Sequence, residues 1–529
     1  MGSITRELTR LQEEHGWLPE AGLRELAERL AVPLHRLESV STFHTHFRRE
    51  PPPEHTVEVC RDVACRLAGG AEAVARLQRS PSTSGIAFRE VSCLGRCDSA
   101  PAGCVGDRVV ALSDPADVSA ALATPTLQSR ATRRWAADPY DPGSPYGALR
   151  AAVTDFDPAA MIAVLETAGL RGMGGAGFPT ARKWRFVADE PALPKYVICN
   201  ADESEPGTFK DREILHDLPH LVIEGMILAG LCTGAGHGIV FIRHEYAAER
   251  RRLEDALAHA REQGALGESI FGSEHSFDIE VFVSPGGYIL GEETALLECL
   301  EDRRGEPRNK PPLPGHMGLH GQPTLINNVE TLAHAAAIIA RGAEWWQGLG
   351  RRGRAGHKFL AVCGDVTTPG VVLVPFGTTL GELLEASGDI SEGRALAAMA
   401  PGGASSSFLG PEALDVPLDF EAIAEAGSML GSGAVLFVAE GRDLLEVGID
   451  VARFFRNESC GKCVPCRVGT EKAVRLIEAA GGAPTAAQVE QLRELHATLA
   501  RTSICGLGQV ALAPLLSILE RFPTGESVG

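Results

Sequence analysis

Three cysteines near the C-terminus, each separated by two residues, constrain this chain more than any other feature. Cys460, Cys463 and Cys466 lie in ESCGKCVPCR, and Cys505 follows in SICGLG. A C-x₂-C-x₂-C run with one remote cysteine is typical of a [4Fe–4S] cluster, because the triplet binds three irons and the remote thiolate binds the fourth. Zinc is the alternative, but a third cysteine at this spacing adds little to a zinc site. The chain therefore needs a segment that holds four thiolates around one inorganic centre.

A second set of four cysteines lies near the N-terminus, with wider spacing. Cys60 and Cys65 have four residues between them, and Cys93 and Cys97 have three. We expect all four at strand ends in glycine-containing loops, where backbone N–H groups can point at the sulfurs. Zinc ribbons favour two C-x₂-C knuckles, so the spacing indicates a [2Fe–2S] centre, with a zinc staple or unliganded thiols as the alternatives. Nearby Cys104 is a spare thiol.

Net charge and the N-terminal sequence indicate the class of protein and the cellular compartment in which these cysteines occur. The formal net charge of −19 argues against a nucleic-acid-binding surface. The N-terminal residues lack a signal-peptide pattern, so we expect reduced thiols, a cytoplasmic location and any association with the inner membrane only through partners. The apolar stretch 221–242 contains Glu224, His237 and several glycines. It predicts a buried helix and strand rather than a membrane span.

Changes in patterning divide the 529 residues into five segments. The fold class that they predict is α/β and multidomain. Residues 1–122 form a helical lead followed by a small α/β domain, and 123–147, rich in Pro, Ser, Arg and Asp, form a linker. Residues 148–350 form a larger α/β domain with buried strands KYVICN, HGIVFIR and DIEVFVS. Residues 355–441 form a small sheet-plus-helix module, and 442–529 are helical.

A glycine-rich loop occurs in RGMGGAGFPT, with G-x-G-x-x-G at Gly172, Gly174 and Gly177 and a further glycine at Gly175. The preceding residues have a helical pattern, whereas a Rossmann unit requires a strand there, so this fingerprint alone is weak. A tight turn between helices explains one or two glycines but not this density. Glycines let the backbone approach a ligand and present N–H groups to a phosphate, and Lys183 can add a positive charge. The loop predicts a phosphate-bearing ligand.

Polar residues also follow a predicted buried strand in CNADESEPGT. They are Asn200, Asp202, Glu203 and Glu205. Open α/β sheets bind ligands beyond the C-terminal ends of their strands, so we expect these side chains to bind ribityl or ribose hydroxyls. A solvated acidic loop is the alternative.

Two further segments carry candidate ligands. PGGYILGEETA is a second glycine loop that opens a helix, with Glu292 and Glu293 in the first turn, where they would also suit the helix dipole. INNVET offers Asn327, Asn328 and Thr331 to a flavin edge or a phosphate. An N-cap cluster would look similar.

Together these motifs resemble the flavin subunit of respiratory complex I and its relatives. RGMGGAGFPTARKW, CNADESEPGTFKDR, GYILGEETALLE, INNVETLA and ESCGKCVPCR follow the family's order from about residue 148 to the C-terminus. CRDVAC and CLGRCDSAPA resemble the thioredoxin-like [2Fe–2S] subunit of the same enzymes, and GDVTTPGVVLVPFGTTLGELL resembles their ubiquitin-like (β-grasp, SLBB-type) module. The chain is thus similar to a fusion of two subunits, as in NAD-reducing hydrogenases. NAD-dependent formate dehydrogenases use the same module.

The resemblance implies roles for matching residues. The FMN and NADH pocket would be lined by Gly172, Gly174, Gly175, Gly177, Phe178 and Lys183. The flavin ribityl chain and the nicotinamide would be held by Asn200, Asp202, Glu203 and Glu205. Flavin and dinucleotide would be bordered by Tyr288, Gly291, Glu292 and Glu293. The FMN phosphate end would be held by Asn327, Asn328 and Thr331. The family often has an aromatic residue that clamps the adenine where this chain has Leu313.

The activity implied is that of an NADH dehydrogenase-type flavin and iron–sulfur oxidoreductase. NAD(H) exchanges a hydride with FMN, and single electrons pass through [4Fe–4S] and [2Fe–2S] clusters to or from partner subunits. No side chain acts as an acid or base, although Glu205 and Glu293 lie near the nicotinamide. The expected partners are an iron–sulfur subunit and the subunits of a molybdenum or tungsten formate dehydrogenase, a hydrogenase or complex I. Fusion favours the first two contexts. The alternative function is a zinc-stapled nucleotide-binding scaffold without redox activity.

Overall fold

Packing in this protein groups segments that are distant in the sequence. The computed structural model describes residues 3–124, 130–141 and 143–522. One compact unit contains residues 1–53, 128–203 and 210–358. The second contains residues 54–127, 204–209 and 359–529. The helical lead therefore packs within the first unit, although the sequence places it next to the thioredoxin-like domain.

The lead consists of three helices in the first unit. They are α1 (Ile4–His15), α2 (Glu20–Leu30) and α3 (Leu34–Phe43). The leucines that recur at helical spacing in the sequence form its core, with Leu8 and Leu37 fully buried. Ser3 caps α1, and its hydroxyl donates to Asp302 Oδ1 at 2.8 Å. The backbone N–H of Thr5 donates to the same atom at 2.9 Å, so Asp302 ties the lead to the rest of the first unit.

The thioredoxin-like domain lies in the second unit. Its elements are β1 (Thr56–Cys60), α4 (Val63–Leu67), α5 (Gly70–Arg79), β2 (Ala87–Val91), β3 (Ala102–Val105), β4 (Arg108–Ala111) and α6 (Pro115–Ala123). The sheet order is β2-β1-β3-β4. β1 pairs with β2 in parallel and with β3 antiparallel. β3 does not show in the sequence pattern, because it is only four residues long and contains Gly103, whose Cα lies against the Glu58 carbonyl.

The predicted linker is anchored within the first unit. Its residues 125–129 and 142 lie outside the described part of the chain. Between them, Trp135 is 3% exposed and donates from its indole N–H to Asp217 at 2.8 Å. Burial of a large aromatic ring with its N–H satisfied holds this stretch in place without regular secondary structure.

The larger α/β domain is a parallel four-stranded sheet covered by helices. Its strands are β5 (Tyr196–Ala201), β6 (His237–Arg243), β7 (Asp278–Ser284) and β8 (Thr324–Asn328). Its helices are α7 (Gly147–Thr154), α8 (Pro158–Ala168), α9 (Thr180–Ala188), α10 (Lys210–Asp217), α11 (Pro219–Thr233), α12 (Ala247–Glu262), α13 (Glu293–Leu300), α14 (Pro314–Met317), α15 (Val329–Arg341) and α16 (Ala343–Gly348). The order β7-β6-β5-β8 puts β5 inside the sheet.

The apolar stretch 221–242 is a buried helix and strand, as predicted. It falls in α11 and β6, and Glu224 within it is fully buried. In the described part of the chain, no single helix is long and apolar enough to cross a membrane. α10 and α11 pass that test only as a pair, and they are bent by 93°.

The small sheet-plus-helix module belongs to the second unit, apart from the first two residues of its first strand. Its elements are β9 (His357–Gly364), β10 (Gly370–Pro375), α17 (Leu380–Ala386), β11 (Leu396–Ala400), α18 (Phe420–Glu425) and β12 (Ala434–Ala439). The sheet order is β10-β9-β12-β11. A Thr379–Glu382 capping box starts α17. The sequence pattern gave no indication of β11, whose residues Leu396–Ala400 are mostly alanine.

The C-terminal segment is helical, as predicted. Its helices are α19 (Leu444–Asn457), α20 (Val464–Glu478), α21 (Ala486–Thr502), α22 (Gly506–Val510) and α23 (Ala513–Arg521). Gly469 lets α20 and α21 approach closely, because a Cβ there would lie 2.3 Å from a Leu499 methyl carbon.

Gly225 provides a test of the packing that supports the sheet of the first unit. A Cβ on this α11 residue would lie 2.1 Å from the Leu332 carbonyl oxygen of α15. Because backbone cannot yield as a side chain can, Gly225→Ala is expected to lower the free energy of unfolding by about 2–3 kcal/mol or more. Gly236→Ala is the matched control, since no atom lies within 4 Å of its added Cβ. Chemical denaturation of both variants measures the difference, and equal stabilities would contradict the packing.

Candidate functional site

The four N-terminal cysteines converge in the second unit. Cys93 and Cys97 have their sulfurs 3.8 Å apart. Cys60 contacts both Cys65 and Cys93, and these contacts together with burial raise the pKa of its thiol well above the usual range. All four side chains are at most 8% exposed. Each of these four buried thiols contacts at least one other of the set. Their chemistry fits a metal or a cluster, because a bound cation replaces the thiol protons and offsets the repulsion between crowded thiolates.

The surroundings of these thiols match the chemistry of an iron–sulfur site. Gly95 N–H points at Cys93 Sγ and Ala102 N–H at Cys65 Sγ, each at 3.4 Å. Backbone donors to ligand sulfurs are a feature that tunes cluster potentials. The prediction that every ligand sits in a loop at a strand end is wrong for Cys65 and Cys97. Cys65 lies in α4, because the chain turns into a helix directly after β1, and Cys97 begins a short 3₁₀ helix.

Sequence reasoning missed one cysteine of this group. Cys363 of β9 lies outside both cysteine sets in the sequence, where a scattered cysteine is most simply a small buried hydrophobe. Its thiol instead contacts Cys97 within the second unit, and it is fully buried. No sequence spacing could reveal this, because more than 260 residues separate the two. The spare Cys104 lies in β3 and packs beside Cys60 and Cys65.

The C-terminal cysteines also belong to the second unit. Burial raises the pKa of the Cys466 thiol to about 11, and the nearby Cys463 and Cys460 also raise it. Ser459 Oγ lies 3.3 Å from Cys466 Sγ. Cys505 is the N-cap of α22, and Gly508 of that helix brings its Cα against Cys466, where an added Cβ would lie 3.0 Å from the Cys466 Cβ. The remote cysteine is therefore carried to the triplet by α22.

The two cysteine sets are linked by direct packing of their helices. Arg66 of α4 forms an ion pair with Asp450 of α19 at 3.4 Å. Burial raises the pKa of Asp62, which precedes α4, and the charge of Glu458, which follows α19, raises it further. One unit thus holds both candidate clusters.

The glycine-rich loop lies in the first unit between α8 and α9. Gly172 N–H donates to the Phe178 carbonyl at 2.8 Å, and the Arg171 guanidinium to the Gly177 carbonyl at 2.7 Å. Gly175 and Gly177 have φ of 125° and 60°, which side chains other than glycine rarely adopt. The closed loop leaves Gly174 and Ala176 exposed, so its backbone is open to a ligand.

The loop is seated on the first turn of α15. Met173 N–H donates to Thr331 Oγ1 at 2.8 Å. Gly174 packs so closely on Asn328 that an added Cβ would lie 3.1 Å from the Asn328 Cβ. Asn327 accepts a hydrogen bond from the Trp184 indole at 2.9 Å. The predicted amide and hydroxyl side chains therefore lie at the loop, where they position its backbone.

The polar residues after β5 meet the second glycine loop. Asn200 Nδ2 donates to the Gly291 carbonyl at 2.8 Å, and an added Cβ on Gly291 would lie 3.2 Å from the Asp202 carbonyl. Glu203 is directed inward, where it accepts from Asp211 N–H at 2.8 Å and Tyr246 Oη at 2.9 Å. Burial raises the pKa of Glu203 to about 8. Its carboxylate thus supports the fold of this edge.

Two lysine–glutamate pairs lie at the start of α13. Lys183 pairs with Glu293, and Lys310 pairs with Glu292. Glu292 is also the N-cap of α13, accepting from the Thr294 and Ala295 N–H groups at 2.9 Å each. Glu292 therefore stabilises the start of α13, as the alternative interpretation of the sequence proposed. The ion pair with Lys183 offsets part of the negative charge of the Glu293 carboxylate.

Glu205 is the one predicted pocket residue that belongs to the second unit. Its carboxylate accepts from Ser405 N–H at 2.7 Å. Pro206 accepts from Ala404 N–H at 3.2 Å, and Thr208 Oγ1 lies 2.6 Å from Ser432 Oγ. The segment 204–209 is thus anchored on the second unit.

The first unit has exposed apolar side chains in or after its motif segments, among them Phe178 in the glycine-rich loop, Phe186 in α9 and Leu313 just before α14. Phe178 is 50% exposed, Phe186 47% and Leu313 52%. Phe186 of α9 packs on Gly315 of α14, where an added Cβ would lie 2.7 Å from its ring. Sequence reasoning did not single out Phe186. An aromatic residue on the exposed side of α9, eight residues after Phe178, was the available signal.

Comparison with known families supports each part of this arrangement. Residues 2–125 match the thioredoxin-like [2Fe–2S] ferredoxin family. Residues 165–337 match the Nuo51 FMN-binding domain, and 359–408 match the SLBB domain. Residues 447–525 match the iron–sulfur binding region of NADH-ubiquinone oxidoreductase-F. FMN and both iron–sulfur centres are therefore the cofactors of this chain.

Individual relatives agree with these matches. The second F subunit of the NADH-quinone oxidoreductase of Rhizobium meliloti is 42% identical over 72% of this chain and 91% of its own length. The HndC subunit of the NADP-reducing hydrogenase of Solidesulfovibrio fructosivorans is 40% identical over 70% of this chain and 76% of its own. A chain of the NAD⁺-reducing [NiFe]-hydrogenase, solved in the H₂-reduced state, superposes with a TM-score of 0.86 at 32% identity, covering 98% of this chain and 92% of that chain.

Fold, thiol sets and family matches define a diaphorase-type enzyme module that works with NAD(H), FMN and iron–sulfur clusters. The chain belongs to the family of the F subunits of NADH-quinone oxidoreductases. The predicted multidomain α/β fold is confirmed, including its thioredoxin-like and SLBB modules. The zinc-stapled scaffold finds no support in these comparisons.

Two substitutions distinguish a cysteine that binds the [2Fe–2S] cluster from a cysteine that only lies near it. Cys93→Ser is expected to abolish the [2Fe–2S] electron paramagnetic resonance signal of the reduced protein, because a serine oxygen is a poor substitute for a ligand thiolate. Cys104→Ser is the matched control, since Cys104 is equally buried in the same domain. The control should keep the signal and the full iron content. Loss of the signal in Cys104→Ser with retention in Cys93→Ser would contradict the assignment.

Proposed function

We propose that the first unit binds FMN and NAD(H) where its four motif segments meet, and that hydride exchange takes place there. The observation that carries this proposal is a set of direct links between the segments. Met173 bonds to Thr331, Asn200 bonds to the Gly291 carbonyl, and Lys183 pairs with Glu293. Segments separated by up to about 150 residues in the sequence thereby share one edge of the sheet, beyond the C-terminal end of β5, where open α/β sheets bind ligands.

In this proposal each segment has a distinct task. The exposed backbone of Gly174 and Ala176 faces the FMN phosphate, since N–H groups freed of side chains bind anions. Asn200 and Asp202 hold the ribityl chain beside Gly291. FMN supplies two-electron chemistry toward NAD(H) and one-electron chemistry toward the clusters. The protein binds and orients the two molecules, and no side chain needs to move a proton during hydride exchange.

The exposed aromatic side chains are proposed to receive the dinucleotide. Phe178 and Phe186 each present about half of their surface. Aromatic faces bind flat rings by stacking and favour aromatic over aliphatic partners. We infer that Phe186 and Leu313 flank the adenine, so that Phe186 supplies the stacking surface that Leu313 cannot.

The partner subunit is proposed to dock beside the [4Fe–4S] cysteines. Val464 and Val468 lie one turn apart on α20 and are 59% and 53% exposed. An exposed apolar pair next to the ligands Cys463 and Cys466 is unusual for a free surface and suits a protein contact. We propose that an iron–sulfur subunit covers it, because single electrons need a second cluster at close range.

The parent enzyme is proposed to be a hydrogenase or a formate dehydrogenase in the cytoplasm. The chain of the NAD⁺-reducing hydrogenase aligns with 98% of this chain, whereas the NADH-quinone oxidoreductase F subunits align with 72–73%. Co-purification from native cells, followed by metal analysis, distinguishes the contexts. Nickel with hydrogen-dependent NAD⁺ reduction supports a hydrogenase, and molybdenum or tungsten with formate-dependent reduction supports a formate dehydrogenase. Quinone reduction by the purified complex would contradict both.

The proposed chemistry is tested on the anaerobically purified chain. Iron, acid-labile sulfide and FMN are expected together, and NADH should bleach the flavin and cluster absorbance. Zinc in place of iron, or iron without flavin, would contradict the proposal.

Glu293 provides a test of dinucleotide specificity. Its carboxylate is expected to oppose the 2′-phosphate of NADPH, because like charges in one site raise the energy of the wrong ligand. Glu293→Gln should therefore reduce the NADH-over-NADPH preference in kcat/KM by about tenfold, about 1.4 kcal/mol. Glu166→Gln is the control, since Glu166 forms an exposed ion pair with Arg185. An unchanged preference in Glu293→Gln would exclude this role.

A further inference from the structure

Two lysines are buried beneath the glycine-rich loop of the first unit. Lys210 is fully buried and Lys358 is 1% exposed. Both ammonium groups contact one carboxylate oxygen of Glu330, at 2.9 Å from Lys210 and 3.0 Å from Lys358. Lys210 also pairs with Asp211 at 2.6 Å. The group therefore contains two cations and two anions and is balanced in charge.

Lys358 reaches beyond this group to the loop itself. Its Nζ lies 3.4 Å from the Met173 carbonyl oxygen and 3.8 Å from the Met173 sulfur. A lysine ammonium has three N–H donors, so it can serve Glu330 and the Met173 carbonyl together. Lys358 is the second residue of β9, and its side chain connects the start of that strand to the loop.

The backbone of Met173 is thereby held through both of the peptide groups that flank it. Its N–H donates to Thr331 Oγ1 at 2.8 Å, while its carbonyl receives Lys358. The following residue, Gly174, packs on Asn328. Asn328 in turn accepts from Glu330 N–H at 3.0 Å, so the loop, the start of α15 and the buried charges form one connected structure.

Burying the Lys358 ammonium costs free energy, because the charge loses its contact with water. Burial lowers the pKa of Lys358 to about 8, although Glu330 opposes this change. An apolar residue of the same volume would often give equal or greater stability than a buried charge pair. What an apolar residue cannot supply is a donor to the Met173 carbonyl. That contact distinguishes Lys358 from a residue that only packs.

We propose that Lys358 is a positioning residue for FMN, which holds the Met173 carbonyl and so fixes the exposed backbone of the loop against the phosphate. This inference rests on the proposed placement of FMN at the loop. Without the lysine, the loop keeps its Thr331 contact, but the plane of the peptide group between Met173 and Gly174 is free to rotate. The phosphate would then meet N–H groups that are no longer fixed in direction, and affinity falls.

The test uses full-length chain freed of FMN under anaerobic conditions. Lys358→Met is expected to weaken FMN binding at least tenfold, as measured by quenching of flavin fluorescence on titration. Lys195→Met is the matched control. Lys195 is also buried and donates to a backbone carbonyl, that of Ala188, at 2.8 Å. The control should bind FMN within about twofold of the wild-type affinity. Equal FMN affinity in Lys358→Met and the wild type would overturn the proposal.

A double variant distinguishes the loss of the Lys358 contact to the Met173 carbonyl from the loss of the Lys358 charge beside Glu330. In Lys358→Met, the two carboxylates of Glu330 and Asp211 share one cation, Lys210. In the double variant Lys358→Met with Glu330→Gln, only Lys210 and Asp211 remain charged, so the group is balanced again. The double variant is expected to recover the melting temperature that the single variant loses, but not the FMN affinity. Recovery of both would show that charge imbalance, and not the carbonyl contact, was responsible, and would overturn the proposal.

A third variant tests the position of FMN at the loop independently of the role of Lys358. Gly174→Val places a side chain where the loop meets Asn328 and should greatly weaken FMN binding. If Gly174→Val binds FMN as the wild type does, the proposed placement itself fails. If Gly174→Val loses FMN while Lys358→Met keeps it, the placement stands and only the role of Lys358 is wrong.

Discussion

The carboxylate of Glu330 organises the interior of the first unit, because three elements direct a basic side chain at it. Lys210 comes from α10, Lys358 from β9, and His334 from the next turn of α15. Burial alone would raise the pKa of Glu330, but the two lysines hold it well below its usual range. Buried charges tolerate few arrangements, since each must remain paired. The position of α15 relative to its neighbours is therefore strongly fixed, and the glycine-rich loop is seated on that helix.

The second unit depends on a different constraint. Crowding and burial raise the pKa of the Cys60 thiol, and burial raises that of the Cys466 thiol. Cluster binding needs thiolates, which couples occupancy of both sites to the folding of the loops around them. The ion pair between Arg66 and Asp450 places both cysteine-bearing helical regions against each other. Stability and cofactor content of this unit are thus expected to change together.

Much of the candidate site was open to prediction because motifs are local. The cysteine spacings, the glycine-rich loop and the polar residues after β5 were found from sequence. The four segments that carry the predicted pocket residues are linked by hydrogen bonds and an ion pair. Short or distant features were not found. β11 is alanine-rich and carries no alternating pattern, Cys65 lies in a helix too short to show a period, and Phe186 has the surroundings of an ordinary surface residue.

The sequence by itself determined which cofactors this chain can hold, because ligand type and spacing within a few residues decide whether thiolates or backbone N–H groups can converge. It also determined the order of the modules. Only the tertiary structure decided which distant groups meet. Lys183 pairs with Glu293, Cys363 lies against Cys97, and Lys358 reaches Met173. These contacts arise from the packing of whole elements, and no local pattern in the chain encodes the distance between them.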